Sequence, residues 1–382
     1  MGVIPFFDDH NSMNKQQDHL KILMTTDTLG PLWQYCLELA SALPENTEIH
    51  LASMGDLPDE RKMAEAEAIS NLYIYPSSYK LEWQDDPWDE VEQASMWLLH
   101  LEQKLQPDLV HLNHCVFGEL PWDRPALVIG HYCILSRWEA TDNQPFPDVQ
   151  ERYRERIRKG LQSVDYVVAP SATLLRQLET HYGPLPETEI IHYGIPDANL
   201  ESRSKSNQIL LSTEGIHEYE GLHALVKGAA DLPYPLIIMG EHQADMHEAS
   251  VAFTGKLDSN QLNEYLSDSR IFVSASRYEV FGWTALQAAS QGCILILSDI
   301  DVYHEIWQDA ALYFDPVHPE SLREVILSLH AQPELTASLG KKSVQRSRDF
   351  DLKKKAKGYY ELYHKLIHTA KQEASNTNSS YV

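Results

Sequence analysis

One stretch in the second half of the chain decides the fold: Ser276-Arg-Tyr-Glu-Val-Phe-Gly-Trp-Thr-Ala-Leu-Gln-Ala-Ala-Ser-Gln-Gly-Cys293. It follows an apolar run, places an acid at Glu279, turns through Gly282 and then opens an apolar helical pattern. This order predicts a carboxylate and several backbone N–H groups at the carboxyl end of a strand, where open α/β sheets bind ligands. The stretch therefore predicts an α/β fold with a ligand site at Glu279.

Short apolar runs alternate with longer amphipathic segments along the chain. Such runs, each followed by a helical pattern, are typical of parallel strands that are buried on both faces. A polar break near 201–207 divides them into two series, which predicts two doubly wound α/β units in tandem. The predicted strands are residues 21–26, 48–53, 72–75, 109–112, 127–130, 166–169 and 189–192, then 208–212, 236–239, 251–254, 271–275, 294–298 and 311–314.

The domain organisation follows from length and from these two series. A chain of 382 residues is more than a single α/β domain usually needs. We predict a first Rossmann-like domain over residues 20–195, a second over 196–350, and a final helix over 351–370. The two ends, residues 1–19 and 371–382, have the polar composition of disordered segments.

Composition excludes several classes of partner. With 56 acidic and 31 basic residues the formal net charge is −25, which repels nucleic acid and anionic lipid. The helical pattern at 151–159 alternates cations with acids, which favours a solvated face with internal ion pairs over membrane docking. The four cysteines lack metal-ligand spacing and lie in or beside apolar runs, and the start of the chain lacks a secretory signal pattern. These features predict a cytoplasmic protein with buried free thiols.

The stretch at 276–293 resembles the donor-sugar motif of the family 4 retaining glycosyltransferases, in which an acid is followed by seven residues and a second acid. The resemblance is specific over roughly 250–320 and looser across 20–200. It implies the GT-B fold, in which two Rossmann-like domains face each other across a cleft and the helix at 351–370 crosses back to the first. It also implies transfer of a sugar from a nucleotide-sugar donor in the second domain to an unknown acceptor in the first, with no metal or other cofactor.

The resemblance implies two catalytic residues, one from each domain. Glu279 corresponds to the acid that contacts the donor sugar, and His131 corresponds to a histidine that faces that sugar from the first domain. The alternatives are that Glu279 is a solvated acid and that His131 is a structural histidine bonded to a neighbouring carbonyl. His111 and His114 end nearby strands without a matching role, and we interpret both as structural.

Further residues are implied in donor binding. They lie in turns or near strand ends, except for one on the following helix, and they are Gly30, Lys256, Arg277, Val280, Phe281, Gly282 and Gln287. Gly30 belongs to the phosphate or acceptor loop after the first strand, and the backbone of Val280 to Gly282 would bind the donor sugar. Gln287 stands where the family has a glutamate that holds the nucleotide ribose, or else lies on a helix surface and binds nothing.

The phosphate site departs from the family pattern. An arginine and a lysine that neutralise the donor diphosphate in the family are replaced here by Glu214 or Gly215 and by Glu220. Pro31 replaces a second glycine in the first loop, which removes an N–H donor. Carboxylates in place of cations reverse the charged hydrogen bonds on which such a clamp depends.

Three interpretations of these departures stay open. In the first, the protein is a glycosyltransferase that uses Lys256 and Arg277 as substitute cations. In the second, it is a non-catalytic relative that keeps the cleft as a binding or scaffold surface and acts through a protein partner. In the third, it is an enzyme of the same fold that uses a sugar donor without a nucleotide or a less charged sugar donor.

Overall fold

The computed structural model describes residues 19–141, 151–196, 205–212, 231–241 and 251–379. These residues form two parallel sheets, one of seven strands and one of six. The strand order within each sheet does not follow the chain order, as expected for a sheet that is wound in two directions from its centre. The prediction of two doubly wound α/β units is confirmed.

The first sheet contains β1 (Leu20–Asp27), β2 (Thr47–Met54), β3 (Leu72–Pro76), β4 (Leu109–Leu112), β5 (Ala126–Ile129), β6 (Tyr166–Ala169) and β7 (Glu187–Ile190). The strand order is β3-β2-β1-β4-β5-β6-β7. The helices that cover it are α1 (Leu32–Ala42), α2 (Glu60–Glu67), α3 (Trp88–Leu105), α4 (Ile134–Thr141), α5 (Glu151–Ser163) and α6 (Ala172–Tyr182). Two separate buried clusters, one with α1 and one with α3, show that both faces of this sheet are covered.

The second sheet contains β8 (Ser206–Ser212), β9 (Leu236–Met239), β10 (Val251–Phe253), β11 (Ser269–Ser274), β12 (Ile294–Ser298) and β13 (Ala311–Phe314). The order is β10-β9-β8-β11-β12-β13. Its helices are α7 (Ser259–Asp268), α8 (Trp283–Ser290), α9 (Asp301–Trp307), α10 (Pro319–His330) and α11 (Pro333–Ser347). Two further buried clusters cover the faces of this sheet.

Burial on both faces explains why apolar runs located the strands. Strand β12 is an Ile-Leu-Ile-Leu run, and every one of its residues is buried. Strand β7 begins two residues earlier than predicted, because it is an edge strand whose limits depend on its pairing with β6, from Glu187 opposite Tyr166 to Ile190 opposite Ala169. An edge strand has only one hydrogen-bonded neighbour and carries a weaker apolar signal.

The last helix, α12 (Leu352–Ser379), packs against the first domain. The Tyr35 hydroxyl on α1 donates a hydrogen bond to Tyr359 of α12 at 2.8 Å. The prediction of a disordered segment from residue 371 differs from the structure, in which the helix continues to Ser379. Good helix formers follow the packed part of α12, and extending an existing helix is far easier than starting one. The predicted disorder at residues 1–18 and 380–382 lies outside the described residues.

Two sequence predictions about side chains are confirmed. All four cysteines are free; Cys36, Cys133 and Cys293 are buried, and Cys115 is half-buried. On α5, Glu155 forms ion pairs with Arg158 at 2.8 Å and with Lys159 at 3.7 Å, as the alternating charges predicted. No helix within the described ranges is long and apolar enough to span a membrane.

A pH dependence of stability follows from His111 on β4. Burial lowers the pKa of His111 to about 3, and its Nδ1 lies 2.6 Å from the Tyr363 hydroxyl of α12. A histidine in the unfolded chain titrates near 6.5, so the unfolded state binds more protons than the folded state between pH 6.5 and 3. The free energy of unfolding therefore decreases as the pH is lowered through that window.

We therefore expect His111→Gln to flatten this dependence by about 1 kcal/mol between pH 6 and pH 5, measured by urea unfolding. Tyr363→Phe is the matched control, because it removes the same hydrogen bond but keeps the histidine. Equal slopes in the wild type and His111→Gln would show that His111 does not cause the effect.

Candidate functional site in the interdomain cleft

The loop between β11 and α8 has the geometry of a ligand loop. Gly282 adopts a φ of 86° immediately before α8, a left-handed conformation that side chains rarely take. A Cβ atom there would lie 2.6 Å from Cε1 of the Tyr303 ring, so the position also has no room for one. Phe281 is fully buried and fixes the loop in the core of the second domain.

Glu279 lies three residues before that glycine, and its charge acts on side chains of the first domain. Burial raises the pKa of Tyr193, and the charge of Glu279 raises it further. Burial likewise raises the pKa of Tyr132 to about 12, with Glu279 as a smaller contributor. Glu279 is itself half-buried. The charge of Glu279 thus acts on two tyrosines of the first domain, Tyr132, which follows His131 in sequence, and Tyr193, which is bonded to His131.

His131 follows β5, and both of its ring nitrogens have partners within the protein. Its Nε2 lies 2.8 Å from Oδ1 of Asn113, and its Nδ1 lies 2.8 Å from the hydroxyl of Tyr193. The Asn113 amide nitrogen donates to the Thr25 carbonyl at 2.7 Å, which fixes Oδ1 as the atom that accepts from His131. The ring then carries its proton on Nε2 and accepts from Tyr193 on Nδ1.

The charge state of His131 follows from its surroundings. Burial, together with neighbouring His111 and His114, lowers its pKa to about 3. The ring also makes an edge contact with Tyr35 of α1 at a centroid distance of 5.0 Å. His131 is therefore neutral near pH 7, and neither nitrogen is available to take a proton in this arrangement. The contacts of His131 hold its ring in one orientation beside Tyr193.

Tyr193 connects the two domains at this point. Besides its hydrogen bond to His131, its ring contacts Phe281 at 5.3 Å and Trp283 at 5.7 Å between centroids. It lies just after β7, where the chain passes towards the second domain. The sequence analysis missed Tyr193, because an aromatic residue in a connecting segment has no distinctive local signal.

A second connection, which we name the cross-domain clasp, joins the start of α6 to the second domain. It consists of Ser171, Ala172 and Thr173 with Val280 and Glu305. The Ser171 hydroxyl donates to the Val280 carbonyl at 2.8 Å. The Glu305 carboxylate accepts from the N–H groups of Ala172 at 2.7 Å and Thr173 at 2.8 Å, and from the Thr173 hydroxyl at 2.7 Å. The donor-side loop is thereby bonded directly to the first domain.

The loop after β1 holds Gly30, but its N–H is already engaged. The Asp27 carboxylate Oδ1 accepts from the N–H groups of Leu29 at 2.8 Å and Gly30 at 2.7 Å. Pro31 caps α1 without a side-chain hydrogen bond. The composition of this loop predicted an approach site for a ligand, and the sequence analysis missed the role of Asp27.

The remaining predicted donor residues are spread over the second domain. Arg277 is exposed two residues before Glu279, and Gln287 is half-buried on α8. Lys256 is exposed after β10, which is three strand positions from β11, or about 14 Å at the usual strand spacing. Lys256 and Arg277 thus follow strands that are not neighbours in the sheet. The replaced clamp positions, Glu214, Gly215 and Glu220, lie outside the described residues.

No group of three or more histidine, cysteine, aspartate or glutamate side chains in the described part of the chain is placed to hold a metal ion. The polar groups gathered at the cleft are instead a carboxylate, a neutral histidine, tyrosine hydroxyls and backbone N–H groups. These are groups that hydrogen-bond to sugar hydroxyls and uncharged polar atoms.

Comparison with solved structures defines the class of fold. The sucrose-phosphate synthase of Thermosynechococcus elongatus superposes with a TM-score of 0.74 at 17% identity, over 92% of this chain and 100% of that one. HepE of Anabaena in complex with UDP and glucose gives 0.70 at 16% identity, over 91% and 100%. At such identities the likeness shows the fold, which is GT-B, with two Rossmann-like domains.

Sequence comparison then defines the family. The family described as Glycosyltransferase Family 4 matches residues 32–199, and that described as Glycosyl transferases group 1 matches residues 198–346. Together the matches span more than half of the chain, and the protein belongs to the family 4 glycosyltransferases. The D-rhamnosyltransferase WbpZ of Pseudomonas aeruginosa is 25% identical over 220 residues, which cover 51% of this chain and 58% of WbpZ. The match thus spans less than two thirds of that relative.

Proposed function

We propose that the protein is a retaining glycosyltransferase that moves a sugar from a nucleotide-sugar donor to an acceptor bound by the first domain. The proposal is carried by the ring contacts of Phe281 and Trp283, on either side of Gly282, with Tyr193 of the first domain. The Tyr193 hydroxyl bonds to His131, and the charge of Glu279 acts on Tyr193. A sugar between Glu279 and His131 would meet polar groups from both domains. The neutral His131 and the aromatic rings beside it would hold and desolvate that sugar.

In this proposal Glu279 accepts hydrogen bonds from hydroxyls of the donor sugar. The N–H groups at the start of α8 point towards the departing diphosphate, where the positive end of the helix favours negative charge. The acceptor oxygen forms its bond to the anomeric carbon on the face from which the diphosphate leaves, and the leaving oxygen takes the acceptor proton. Catalysis of this kind depends on positioning and charge stabilisation and needs no metal.

The hydrogen bonds of His131 agree with front-face transfer. With Nε2 bonded to Asn113 and Nδ1 bonded to Tyr193, it does not act as a general base. Front-face transfer does not require one, because the leaving group takes the proton. We assign the ring of His131 to packing against the sugar from the first domain, with Asn113 and Tyr193 as the residues that position that ring.

Two comparisons support an enzyme that uses a nucleotide sugar. Membership of family 4 favours the glycosyltransferase over the non-catalytic alternative. A protein of the same fold, HepE, has been solved with UDP and glucose.

The experiment is calorimetric titration with a panel of nucleotide diphosphates and nucleotide sugars at low ionic strength, where screening is least. Since carboxylates replace the usual phosphate clamp in the sequence, we expect dissociation constants of roughly 0.1 mM or weaker. Arg277→Ala should weaken binding further, because Arg277 is the exposed cation nearest in sequence to Glu279.

Lys341→Ala is the matched control, since it removes one exposed cation from α11 of the same domain. Micromolar binding that is insensitive to Arg277→Ala would contradict this account of the phosphate site. Absence of binding by every nucleotide would contradict the proposed donor and favour the non-catalytic relative.

A further inference from the structure

We propose that Asp27 makes the loop between β1 and α1 reject phosphorylated acceptors, so that the acceptor is an uncharged, hydroxyl-bearing sugar terminus. The loop comprises residues 27–31, and we name it the Asp27 loop. The inference rests on the proposed function in one respect, namely that an acceptor binds in the first domain. The exclusion of anions by the loop can be tested without any transfer activity.

The N–H groups of the Asp27 loop are already occupied. Two successive N–H groups before a helix, here those of Leu29 and Gly30, form a natural anion site. Both already donate to one carboxylate oxygen, Asp27 Oδ1, at 2.8 and 2.7 Å. Asp27 is only 7% exposed. A phosphate at this place would have to displace a buried carboxylate of the same chain.

Behind the loop, Asp27 lies among further buried polar side chains. The other carboxylate oxygen of Asp27 lies 3.8 Å from Nε2 of His114, which is 4% exposed. Glu82, at 9% exposure, is near enough to both residues for them to influence its pKa. Neither His114 Nε2 nor Glu82 Oε2 has a hydrogen-bond partner among the described residues. The charged Asp27 carboxylate and the buried Glu82 carboxyl, whose pKa burial raises, thus lie behind the loop, and their oxygens suit hydroxyl donors rather than a phosphate.

The ionisation of Asp27 agrees with this geometry. Burial alone would raise its pKa, but His114 and the N–H groups of Gly30 and Leu29 outweigh burial and hold the pKa below its usual value. Asp27 is therefore charged near neutral pH. The N–H groups of the loop are neutralised by a permanent internal anion.

The Asp27 loop adjoins the elements that contact His131. Asn113 bonds both Thr25 of β1 and His131, and Tyr35 of α1 touches the His131 ring at 5.0 Å. The Asp27 loop lies between those two elements, next to the place assigned to the donor sugar. Its own outer surface is apolar, with Leu29 39% exposed and Leu57 63% exposed on the adjoining loop, to which the Thr28 hydroxyl bonds at 2.6 Å. An acceptor hydroxyl that reaches His131 passes this loop.

The test follows the backbone amide signals of Leu29 and Gly30 by NMR in the full chain. Inorganic phosphate is titrated first, and then the pairs glucose and glucose 6-phosphate, and mannose and mannose 6-phosphate. In the wild type we expect these amides not to respond to phosphate and the phosphorylated sugars to bind no better than the neutral ones. In Asp27→Ala we expect phosphate affinity at this site to rise about tenfold or more, because the N–H groups are freed and one charge is lost.

Two further variants make the result specific. Asp27→Val also frees the N–H groups, because valine has no acceptor atom, and it serves if Asp27→Ala fails to fold, since a β-branched residue suits the end of β1. Asp56→Ala is the matched control, because it removes one exposed charge from the adjoining loop and should leave the phosphate response unchanged.

The proposal is overturned if the wild-type amides titrate with phosphate as strongly as those of the Asp27 variants, or if the folded variants gain no phosphate binding. It is also overturned if the wild type prefers either sugar phosphate. These readouts concern the first domain alone. Failure of the proposed function would instead appear as absence of nucleotide-sugar binding in the calorimetric titration, whatever the Asp27 loop does.

Discussion

Glu279→Ala is expected to lower the turnover of sugar transfer, or of donor hydrolysis, by about 100- to 1,000-fold while the protein stays folded. The carboxylate is half-buried between the domains, so its loss removes hydrogen bonds to the sugar in a place with little competing water. The measurement is steady-state turnover with a nucleotide sugar that binds in the calorimetric panel. Circular dichroism and the melting temperature establish that the variant is folded.

Glu264→Ala is the control for Glu279→Ala, because it removes an exposed glutamate from α7 of the same domain. Its turnover should equal that of the wild type. A folded Glu279→Ala variant with unchanged turnover would remove Glu279 from the site and leave the donor loop without its assigned carboxylate.

Glu305→Ala is expected to loosen the two domains and to lower kcat/KM by about 10- to 100-fold. Glu305 accepts three hydrogen bonds from Ala172 and Thr173, and hydrogen bonds to a charged group are each worth about 1.5 to 3 kcal/mol. Because the clasp also includes Val280, its loss disturbs the donor loop without touching Glu279. Small-angle scattering should show a larger radius of gyration in the variant, together with the kinetic loss.

Asp301→Ala on the same helix, α9, is the matched control for the clasp, since Asp301 is exposed. It should change neither the radius of gyration nor kcat/KM. If Glu305→Ala leaves both quantities as in the wild type, the clasp does not hold the domains in the arrangement seen here.

The fold could be predicted from the sequence because its strands are buried on both faces. Runs such as those at 294–298 and 166–169 are uninterrupted by polar residues, and both strands occur where the runs predicted them. The limits were least accurate at the edge strand β7 and at the end of α12. In those places one-sided pairing and helix propagation, respectively, decide the outcome, and neither depends on the local apolar pattern.

The candidate site could be predicted only in part. Glu279, Gly282 and His131 follow strands directly, and parallel strands bring their carboxyl ends to one edge, so their place near the cleft could be inferred. Their partners could not. His131 is held by Tyr193, 62 residues away, and Glu305 bonds Ala172 across 133 residues, and no spacing in a single sequence reveals such contacts.

Asp27 shows the same limit in a shorter range. A glycine after the first strand predicted an open ligand loop. Instead, the carboxylate of Asp27, three residues before that glycine, accepts hydrogen bonds from the N–H groups of the loop. The sequence contains the signal, since aspartate readily accepts from N–H groups two and three residues ahead. The expectation that a glycine turn before a helix binds a phosphate outweighed this aspartate signal.

The most direct test of the central claim is proton NMR of the sugar released or transferred from each nucleotide sugar that binds. The account predicts that the first product to appear has the same anomeric configuration as the donor, and that Glu279→Ala prevents its appearance. A product of inverted configuration would contradict the retaining assignment. Binding of a nucleotide sugar without any consumption by the folded wild type, over a broad panel of acceptors, would contradict the assignment as a transferase.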